Sequence, residues 1–293
     1  MIIDLYQTAD FNKRLNLFLE HRSLRRVFIS VEMNPNQKKC DTTADKHIQR
    51  YGKVKFLSAL IGGGSLIYFL FFLIFGTILS IPAGMNSKSA LMLDFGLSLM
   101  FFFQHSIMVR AKFKTILEKT IPEVMIPAFY SIVSGITLIC TVLFWQETGQ
   151  PIFVPPIWVT PIMSGAFTLG IIGFYWGVKS LPFFDPLGVR IKKMNSKKPS
   201  LKLIGPYRLL RHPLYFFMLI IIWASTSFTL DRILFNCLWS LWILMGAWLE
   251  EKELLTVFGQ DYLKYQQQVP MLFPIKKGYL KYLNQEAKPD LYI

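Results

Sequence analysis

The chain has 293 residues, of which 53% are apolar and 15% aromatic, and a formal charge of +14 at neutral pH. An ordinary soluble domain is less apolar and carries more charge, so this composition excludes that class and indicates an integral membrane protein. The basic residues cluster in loops beside apolar segments. This arrangement fits a lipid bilayer with anionic headgroups as the partner and argues against nucleic acid.

Residues 1–50 differ in composition from the segments that follow. The stretch 10–31 can form a basic amphipathic helix, and residues 33–50 are typical of a polar linker. The short apolar stretch and the small-residue cleavage site of a signal peptide are not found there. We therefore predict a basic cytoplasmic extension (1–50), a membrane domain (51–275) and a polar cytoplasmic tail (276–293). A basic loop at 192–203 is expected to lie against anionic lipid.

Six apolar runs predict membrane segments, because several approach or exceed the roughly 20 residues that a spanning helix needs. The runs are 56–81, 90–109, 125–145, 157–178, 214–230 and 233–249. The last two are short and are separated only by Asp231 and Arg232, so they form either a crossing hairpin or a re-entrant pair, and we favour crossing helices. The predicted fold is an all-α polytopic membrane protein with about six transmembrane helices.

The Lys and Arg residues alternate along the predicted connections. There are 11 before the first segment, then 1, 4, 0, 9 and 1 in successive connections, and 6 after the last segment. Because these residues concentrate in cytoplasmic loops, both termini and the second and fourth connections should be cytoplasmic. We expect a multi-pass protein of the bacterial inner membrane.

Polar residues inside the second segment require an explanation. Gln104 and His105 lie near its cytoplasmic end, and His105 is five residues before Arg110, which places it roughly 7 to 8 Å from the boundary at 1.5 Å per residue. An ionisable residue inside a membrane is by default a hypothesis of function. The alternative is a histidine that is hydrogen-bonded between helices.

Charged residues flank the C-terminal hairpin on one side of the membrane. Arg211 and His212 precede the fifth segment, and Glu250 and Glu251 follow the sixth. Two carboxylates at a helix C-terminus oppose the helix dipole, so a nearby cationic partner is expected. Arg208, Arg211 or a bound cation could supply it. Tyrosines here could donate hydrogen bonds, although interfacial tyrosines are usually anchors.

Other unusual residues are interpreted as packing features. The cysteines lack the spacing of a disulfide framework or a zinc site, so we predict no metal. Gly62, Gly63 and Gly64 follow no strand and should permit close helix packing. Asp94 is interpreted as a polar cap or an inter-helix contact. The cysteines are Cys40, Cys140 and Cys237.

The motif around the hairpin resembles a superfamily of membrane methyltransferases. An RHPxY stretch precedes the hairpin, and EE and FGxxYxxYxxxVP follow it, running from Arg211 to Pro270. The pattern is similar to that of isoprenylcysteine carboxyl methyltransferases and phospholipid N-methyltransferases. The stretches QHSIMVRAKFK and WASTSFT more closely resemble the methanethiol S-methyltransferase family, over about residues 48–274.

The resemblance implies S-adenosylmethionine as methyl donor and a small thiol, methanethiol, as acceptor. The implied cofactor residues are Tyr207, Arg208, Arg211, His212, Tyr215, Glu250 and Glu251. The implied acceptor residues are Gln104, His105 and Arg110. We expect a glutamate to pair with the cofactor's cationic groups and Arg211 with its carboxylate. His105 is the candidate catalytic base, and His212 is the alternative.

Departures from the family pattern keep other functions open. Phe217 replaces a usual glycine, Phe183 replaces a histidine, and IPAFY, ending at Tyr130, replaces an ERSTY stretch. One alternative is a methyltransferase of prenylated cysteine or of phospholipid. A second is a non-catalytic membrane accessory protein of the nitrite and nitric oxide reductase-associated type. A third, a sterol-type reductase, would need a larger membrane core.

Overall fold

The computed structural model describes residues 51–149, 151–181, 185–189, 201 and 203–273. The predicted N-terminal extension, the C-terminal tail, most of the basic loop and Phe183 lie outside the described residues. Within those residues the secondary structure is helical, except for one isolated bridge between Phe153 and Phe228.

Eight α-helices are present in the described part of the chain. Five of them belong to spans that are long and apolar enough to cross a membrane. The predicted all-α membrane fold is therefore confirmed, with five long helices and a shorter sixth apolar one. The helices are α1 (Tyr51–Phe75), α2 (Ser87–Val109), α3 (Ala111–Leu117), α4 (Ile126–Leu143), α5 (Thr160–Lys179), α6 (Pro213–Trp223), α7 (Leu230–Phe258) and α8 (Gln260–Gln268).

Local signals explain where several of these helices begin. The Asn86 side chain accepts a hydrogen bond from Ser89 N at the start of α2, and Thr229 accepts one from Arg232 N at the start of α7. Helices α4, α5 and α6 each have a proline in the first turn, where its missing N–H would have no intrahelical partner.

Helix α6 is shorter than the predicted fifth segment, which continued to Leu230. It ends at Trp223, and its 11 residues span roughly 16 Å, about half of a bilayer core of roughly 30 Å. The chain then continues without helix to the start of α7. The predicted end of this segment was wrong because an apolar run does not distinguish helix from non-helical backbone.

The non-helical residues after α6 have partners for their backbone groups. Phe228 N donates to Phe153 O at 3.0 Å, and Phe228 O accepts from Ile152 N at 2.9 Å. The Ser225 hydroxyl donates to Ser227 O. Irregular backbone at membrane depth requires such partners, so these contacts explain how the hairpin continues beyond a short helix.

Helix α7 is longer than predicted and includes the residues expected to form the hairpin turn. Asp231 accepts hydrogen bonds from Trp145 Nε1 and from Thr148 N, and Arg232 donates to Leu73 O. Both charged side chains are buried. The prediction that these two residues separate two helices was wrong, because both lie in the first turn of α7, where each has a hydrogen-bond partner in another segment.

Helix α6 packs into a row of glycines on α5. A Cβ atom on Gly173 would lie 2.2 Å from the Phe217 ring. Phe217 therefore fills the space that Gly173 provides on α5. The other two glycine and side-chain pairs of this contact are Gly170 with Ile221 and Gly177 with Leu214.

The packing features predicted from the sequence have mixed outcomes. A Cβ atom on Gly62 would lie 2.1 Å from Ser131 Oγ, which confirms close packing there, whereas Gly64 faces open space. Asp94 Oδ1 accepts from Gln146 N, so Asp94 contacts the loop after α4 and not another helix. The thiols of Cys140 and Cys237 are free.

Candidate active site at the end of the hairpin

The two charged flanks of the hairpin meet, as the topology predicted. Arg211 donates from Nε to Glu251 Oε1 at 2.9 Å and from Nη2 to Glu251 Oε2 at 2.8 Å. Its Nη1 atom donates to the carbonyl oxygens of Gln266 and Val269. This bidentate pair, with side chains only 10% exposed, joins the start of α6 to the last part of α7.

Glu251 is saturated with hydrogen bonds. Besides Arg211, His212 Nε2 lies 2.8 Å from Oε1, Tyr262 OH donates to Oε1 at 2.7 Å, and Gln266 Nε2 donates to Oε2 at 2.6 Å. Burial and the hydrogen bond to Glu251 raise the pKa of Tyr262, so its phenol stays a donor at neutral pH. Glu251 thus ties α6, α7 and α8 together.

Glu250 has different surroundings, although it is the next residue. Its Oε2 accepts from Tyr215 OH at 2.8 Å and lies 3.8 Å from His212 Nδ1. The rings of His212 and Tyr215 stack with centroids 5.5 Å apart and an angle of 12°. Glu250 is buried, so His212 separates two buried carboxylates and contacts both.

Tyr207 places a buried phenol beside this group. Its hydroxyl oxygen has no hydrogen-bond partner among the described residues, while its carbonyl accepts from Tyr265 OH. Burial, and secondly the charge of Glu250, raise the pKa of Tyr207, so the phenol keeps its proton. A buried donor without a partner costs roughly 1 to 3 kcal/mol, which favours a ligand as its missing partner.

Local backbone geometry fixes the segment that carries these side chains. Gly205 has a φ of +59°, and a Cβ atom there would lie 2.2 Å from Ser180 Oγ, so only glycine fits. Arg211 N donates to Pro270 O, and His212 N donates to Met271 O. These bonds hold the start of α6 against the chain that follows α8.

Arg208 is the predicted cofactor residue that lies apart from the others. Its Nε donates to Leu203 O at 3.0 Å, and its side chain is exposed. Among the described residues, no hydrogen bond or ion pair joins Arg208 to either glutamate. Arg211, not Arg208, is the cationic partner that the helix end required.

The predicted acceptor residues lie on α2. The hydroxyl of Tyr130, on α4, lies 2.9 Å from His105 Nδ1 and 2.8 Å from His105 Nε2. Aromatic rings of Phe101 and Trp242 lie with centroids 5.3 and 5.2 Å from the imidazole. His105 therefore has a mostly aromatic environment with one phenol facing both ring nitrogens.

The other two predicted acceptor residues make helix contacts. Gln104 donates to Ser134 Oγ and accepts from Thr137 Oγ1, both on α4. Arg110 donates to Glu253 at 2.6 Å, and both side chains are at least one-third exposed. Gln104 thus joins α2 to α4, whereas Arg110 joins the end of α2 to α7.

The acceptor and hairpin clusters lie at the same end of the helices. Trp242 donates to Ser106 Oγ, which aligns α2 with α7 next to His105. Tyr130 is also close enough to Tyr215 for the two phenols to interact electrostatically. Tyr130 is thus in contact with His105 and in electrostatic range of the hairpin cluster.

Sequence reasoning missed Gln266 and assigned no role to Tyr130. Gln266 lies within the FGxxYxxYxxxVP stretch, but at one of its unspecified positions. Tyr130 was noticed only as a departure from the family pattern. Since it meets His105 through the contact between α2 and α4, only an expected pairing of these two helices could have identified it.

Comparisons with known proteins identify the relatives of this chain. The family model described as NnrU protein matches residues 93–268. A methanethiol S-methyltransferase of Pseudomonas sp. is 33% identical over 72% of this chain and 88% of its own length. The one from Crocosphaera subtropica is 31% identical over 66% and 81%, and the one from Pseudomonas deceptionensis is 30% identical over 65% and 75%.

No solved structure matches the chain. The family match covers more than half of the chain and includes the acceptor histidine and both hairpin flanks. The chain therefore belongs to the NnrU protein family and to the same family as the methanethiol S-methyltransferases.

Proposed function

We propose that this protein transfers a methyl group from S-adenosylmethionine to methanethiol, giving dimethyl sulfide and S-adenosylhomocysteine. The names of its relatives support a thiol methyltransferase. The observation that carries the proposal is the buried Glu250 carboxylate in electrostatic range of the buried Tyr207 phenol, whose hydroxyl has no hydrogen-bond partner among the described residues. Together they offer one anionic group and one hydrogen-bond donor to a cationic, polar ligand.

The residues at the hairpin end fit this cofactor. When bound, S-adenosylmethionine supplies an electrophilic methyl group on a positively charged sulfur. In our proposal Glu250 attracts the cofactor's cationic groups, and Tyr207 donates its free hydroxyl proton to a polar atom of the cofactor. Tyr215 and His212 hold the Glu250 carboxylate in place.

Arg211 and Glu251 form the frame of the site in this proposal. All of the side-chain hydrogen bonds of Arg211 described above go to Glu251 and to two backbone carbonyls. A guanidinium held in this way positions α6 and α8, instead of reaching for the cofactor's carboxylate as the sequence suggested. Arg208 lies apart from this frame, with an exposed side chain.

The surroundings of His105 suit a small acceptor. Thiols with a pKa near the cysteine value of about 8.5 are mostly protonated at neutral pH, so transfer needs a base. The aromatic side chains around His105 give the imidazole a largely apolar environment. Opposite charges disappear as a thiolate attacks a sulfonium, so such an environment favours the transition state.

The location in the membrane follows the charge pattern. The five spans identify an integral membrane protein. We infer that it lies in the bacterial inner membrane with both termini in the cytoplasm, because Lys and Arg concentrate on that side. The hairpin cluster and His105 then lie at the cytoplasmic end of the helices.

A three-acceptor assay tests the proposed function. Membranes that contain the protein receive methyl-labelled S-adenosylmethionine with methanethiol, with a prenylcysteine or with mixed phospholipid. We expect volatile label with methanethiol only. Label in a methyl ester or in lipid would assign the protein to one of the related methyltransferases. Failure of the purified protein to bind the cofactor would favour the non-catalytic accessory role.

A matched pair of variants makes the assay specific. Glu250→Gln should abolish release of volatile label because the anionic group is lost without a change in side-chain size. Glu147→Gln is the control, since Glu147 also accepts a hydrogen bond from a hydroxyl, that of Thr77, but is exposed elsewhere in the fold. Equal loss of activity in both variants would mean that the loss does not come from the proposed site.

A further inference from the structure

Tyr130 places a polar group against the His105 imidazole. The phenol oxygen lies within 2.9 Å of both ring nitrogens, so it can share a hydrogen bond with either one, according to the tautomer. A neutral imidazole has one acceptor nitrogen, to which the Tyr130 hydroxyl can donate. Proton exchange with His105 would therefore pass through the phenol.

The ring contacts described for the imidazole are with aromatic side chains. The rings of Phe101 and Trp242 lie at 5.3 and 5.2 Å between centroids, and Tyr130 itself is at 5.3 Å. Trp242 directs its indole N–H to Ser106, not to the histidine. Among the hydrogen bonds described for His105, those with Tyr130 are its route for proton exchange.

Tyr130 also interacts with the hairpin cluster. It lies in electrostatic range of Tyr215, whose hydroxyl donates to Glu250. His105 is on α2 and Glu250 on α7, so Tyr130 on α4 connects the two through its contact with His105 and a longer-range interaction with Tyr215.

The start of α4 is held firmly enough to fix the phenol. Gly188 has a φ of +63°, and a Cβ atom there would lie 2.3 Å from Ala128 N, so its loop rests directly on the α4 backbone. Further along α4, a Cβ atom on Gly135 would lie 3.0 Å from Ile61 O. Contacts on both sides of Tyr130 thus limit movement of the helix that carries it.

We infer that Tyr130 is the catalytic residue that accepts the thiol proton, and that His105 acts through it; this rests on the proposed function. The thiol S–H bond breaks and its proton moves to the Tyr130 oxygen, while the phenol's own proton moves to the free His105 nitrogen. The thiol sulfur forms a bond to the methyl carbon. The sulfonium C–S bond breaks, and its electron pair stays on the departing sulfur.

The charges and protons of this step balance. A neutral thiol and a sulfonium give two neutral thioethers and a protonated imidazole. Release of that proton to water restores neutral His105 for the next turnover. No oxidant or additional reactant is needed, because the group transferred is a methyl cation equivalent.

Tyr130→Phe tests the inference when two small thiols of different acidity are compared. With methanethiol, kcat should fall by about 100-fold or more, the usual size of a general-base contribution. With trifluoroethanethiol, which ionises more readily because of its fluorine atoms, the loss should be much smaller. Binding of S-adenosylmethionine should be unchanged, since the variant keeps the cofactor residues.

Two further variants keep the test decisive. Tyr68→Phe removes a tyrosine hydroxyl bonded to Leu79 O in another span and should retain wild-type rates with both thiols. His105→Ala should show the same acidity-dependent loss as Tyr130→Phe. If one of the two variants folds poorly, the other still provides the test. Equal losses with both thiols, or wild-type rates in Tyr130→Phe, would overturn the inference. A wild-type protein that methylates neither thiol would instead overturn the proposed function.

Discussion

Glu250 and Glu251 are adjacent in sequence but have different tasks. Neighbouring positions on a helix point about 100° apart, so the two side chains meet different groups. Glu251 faces α8 and accepts five hydrogen bonds, two of them from Arg211. Glu250 faces Tyr215 and lies near the phenol of Tyr207. The Glu251 carboxylate stabilises the fold, and the Glu250 carboxylate is the one we assign to the cofactor.

Replacement of each glutamate by glutamine should therefore give opposite results. Glu251→Gln leaves the buried Arg211 without its counter-charge and should lower the free energy of unfolding by about 3 kcal/mol. Glu250→Gln should unfold near the wild-type temperature and lose cofactor binding. Thermal unfolding in detergent measures the first effect. A wild-type unfolding temperature for Glu251→Gln would contradict its structural role.

Tyr207→Phe separates a ligand contact from a structural one. The hydroxyl has no partner in the described part of the chain, so its removal should not destabilise the ligand-free protein. Affinity for S-adenosylmethionine should fall by about tenfold, equivalent to one lost hydrogen bond of about 1.4 kcal/mol. Tyr265→Phe, which loses a bond to the Tyr207 carbonyl, is the comparison. If Tyr207→Phe bound the cofactor normally, the phenol would not face the ligand.

The sequence predicted most of the individual site residues but not their partners. The charge pattern and the helix dipole correctly implied that a cation would meet the glutamates. They did not show that Arg211 would be fully used by Glu251 and by backbone carbonyls, because that depends on how α8 folds back. The contact between Tyr130 and His105 likewise depends on the packing of α2 against α4.

The length of helix α6 was set by contacts with other segments and could not be read from hydropathy. The sequence predicted two crossing helices for the hairpin, whereas α6 ends at Trp223 and extended backbone follows. Serines and the bridge to Phe153 supply the hydrogen bonds that a longer helix would have made internally. The bridge partner Phe153 lies in another segment, so periodicity within one segment could not reveal it.

The glycines of α5 provide a test of the contact between α5 and α6. Gly173→Ala should lower the free energy of unfolding by about 1 to 3 kcal/mol, because the new methyl group would overlap the Phe217 ring. Gly165→Ala is the matched control on the same helix, since a Cβ atom there meets nothing within 4 Å. Thermal unfolding of both variants in detergent gives the comparison. Equal stability would mean that α5 and α6 do not pack as closely as described.

At the scale of the whole molecule, the polar residues of the proposed site lie at one end of the helices. The charge count predicts that this end is cytoplasmic, and the contacts of α2 with α7 place His105 at the same end. The orientation depends on loop composition and not on side-chain contacts, and it stays a prediction. The extension before residue 51 lies outside the described residues and stays a prediction.

Sealed vesicles test the orientation. S-adenosylmethionine is charged and does not cross a bilayer readily, so its consumption reports the face that carries the site. Inside-out vesicles should convert externally added cofactor and methanethiol to dimethyl sulfide, and right-side-out vesicles should not. Permeabilised vesicles of both kinds give the total activity. Equal activity in the two sealed preparations would contradict a cytoplasmic site.

The most direct measurement is equilibrium binding of labelled S-adenosylmethionine to the purified protein in detergent. The central claim is that the buried group around Glu250 at the end of the hairpin holds this cofactor. Wild type and Glu147→Gln should bind it saturably and with equal affinity, whereas Glu250→Gln should bind at least about tenfold more weakly. Wild-type affinity in Glu250→Gln, or no saturable binding by the wild type, would contradict the claim.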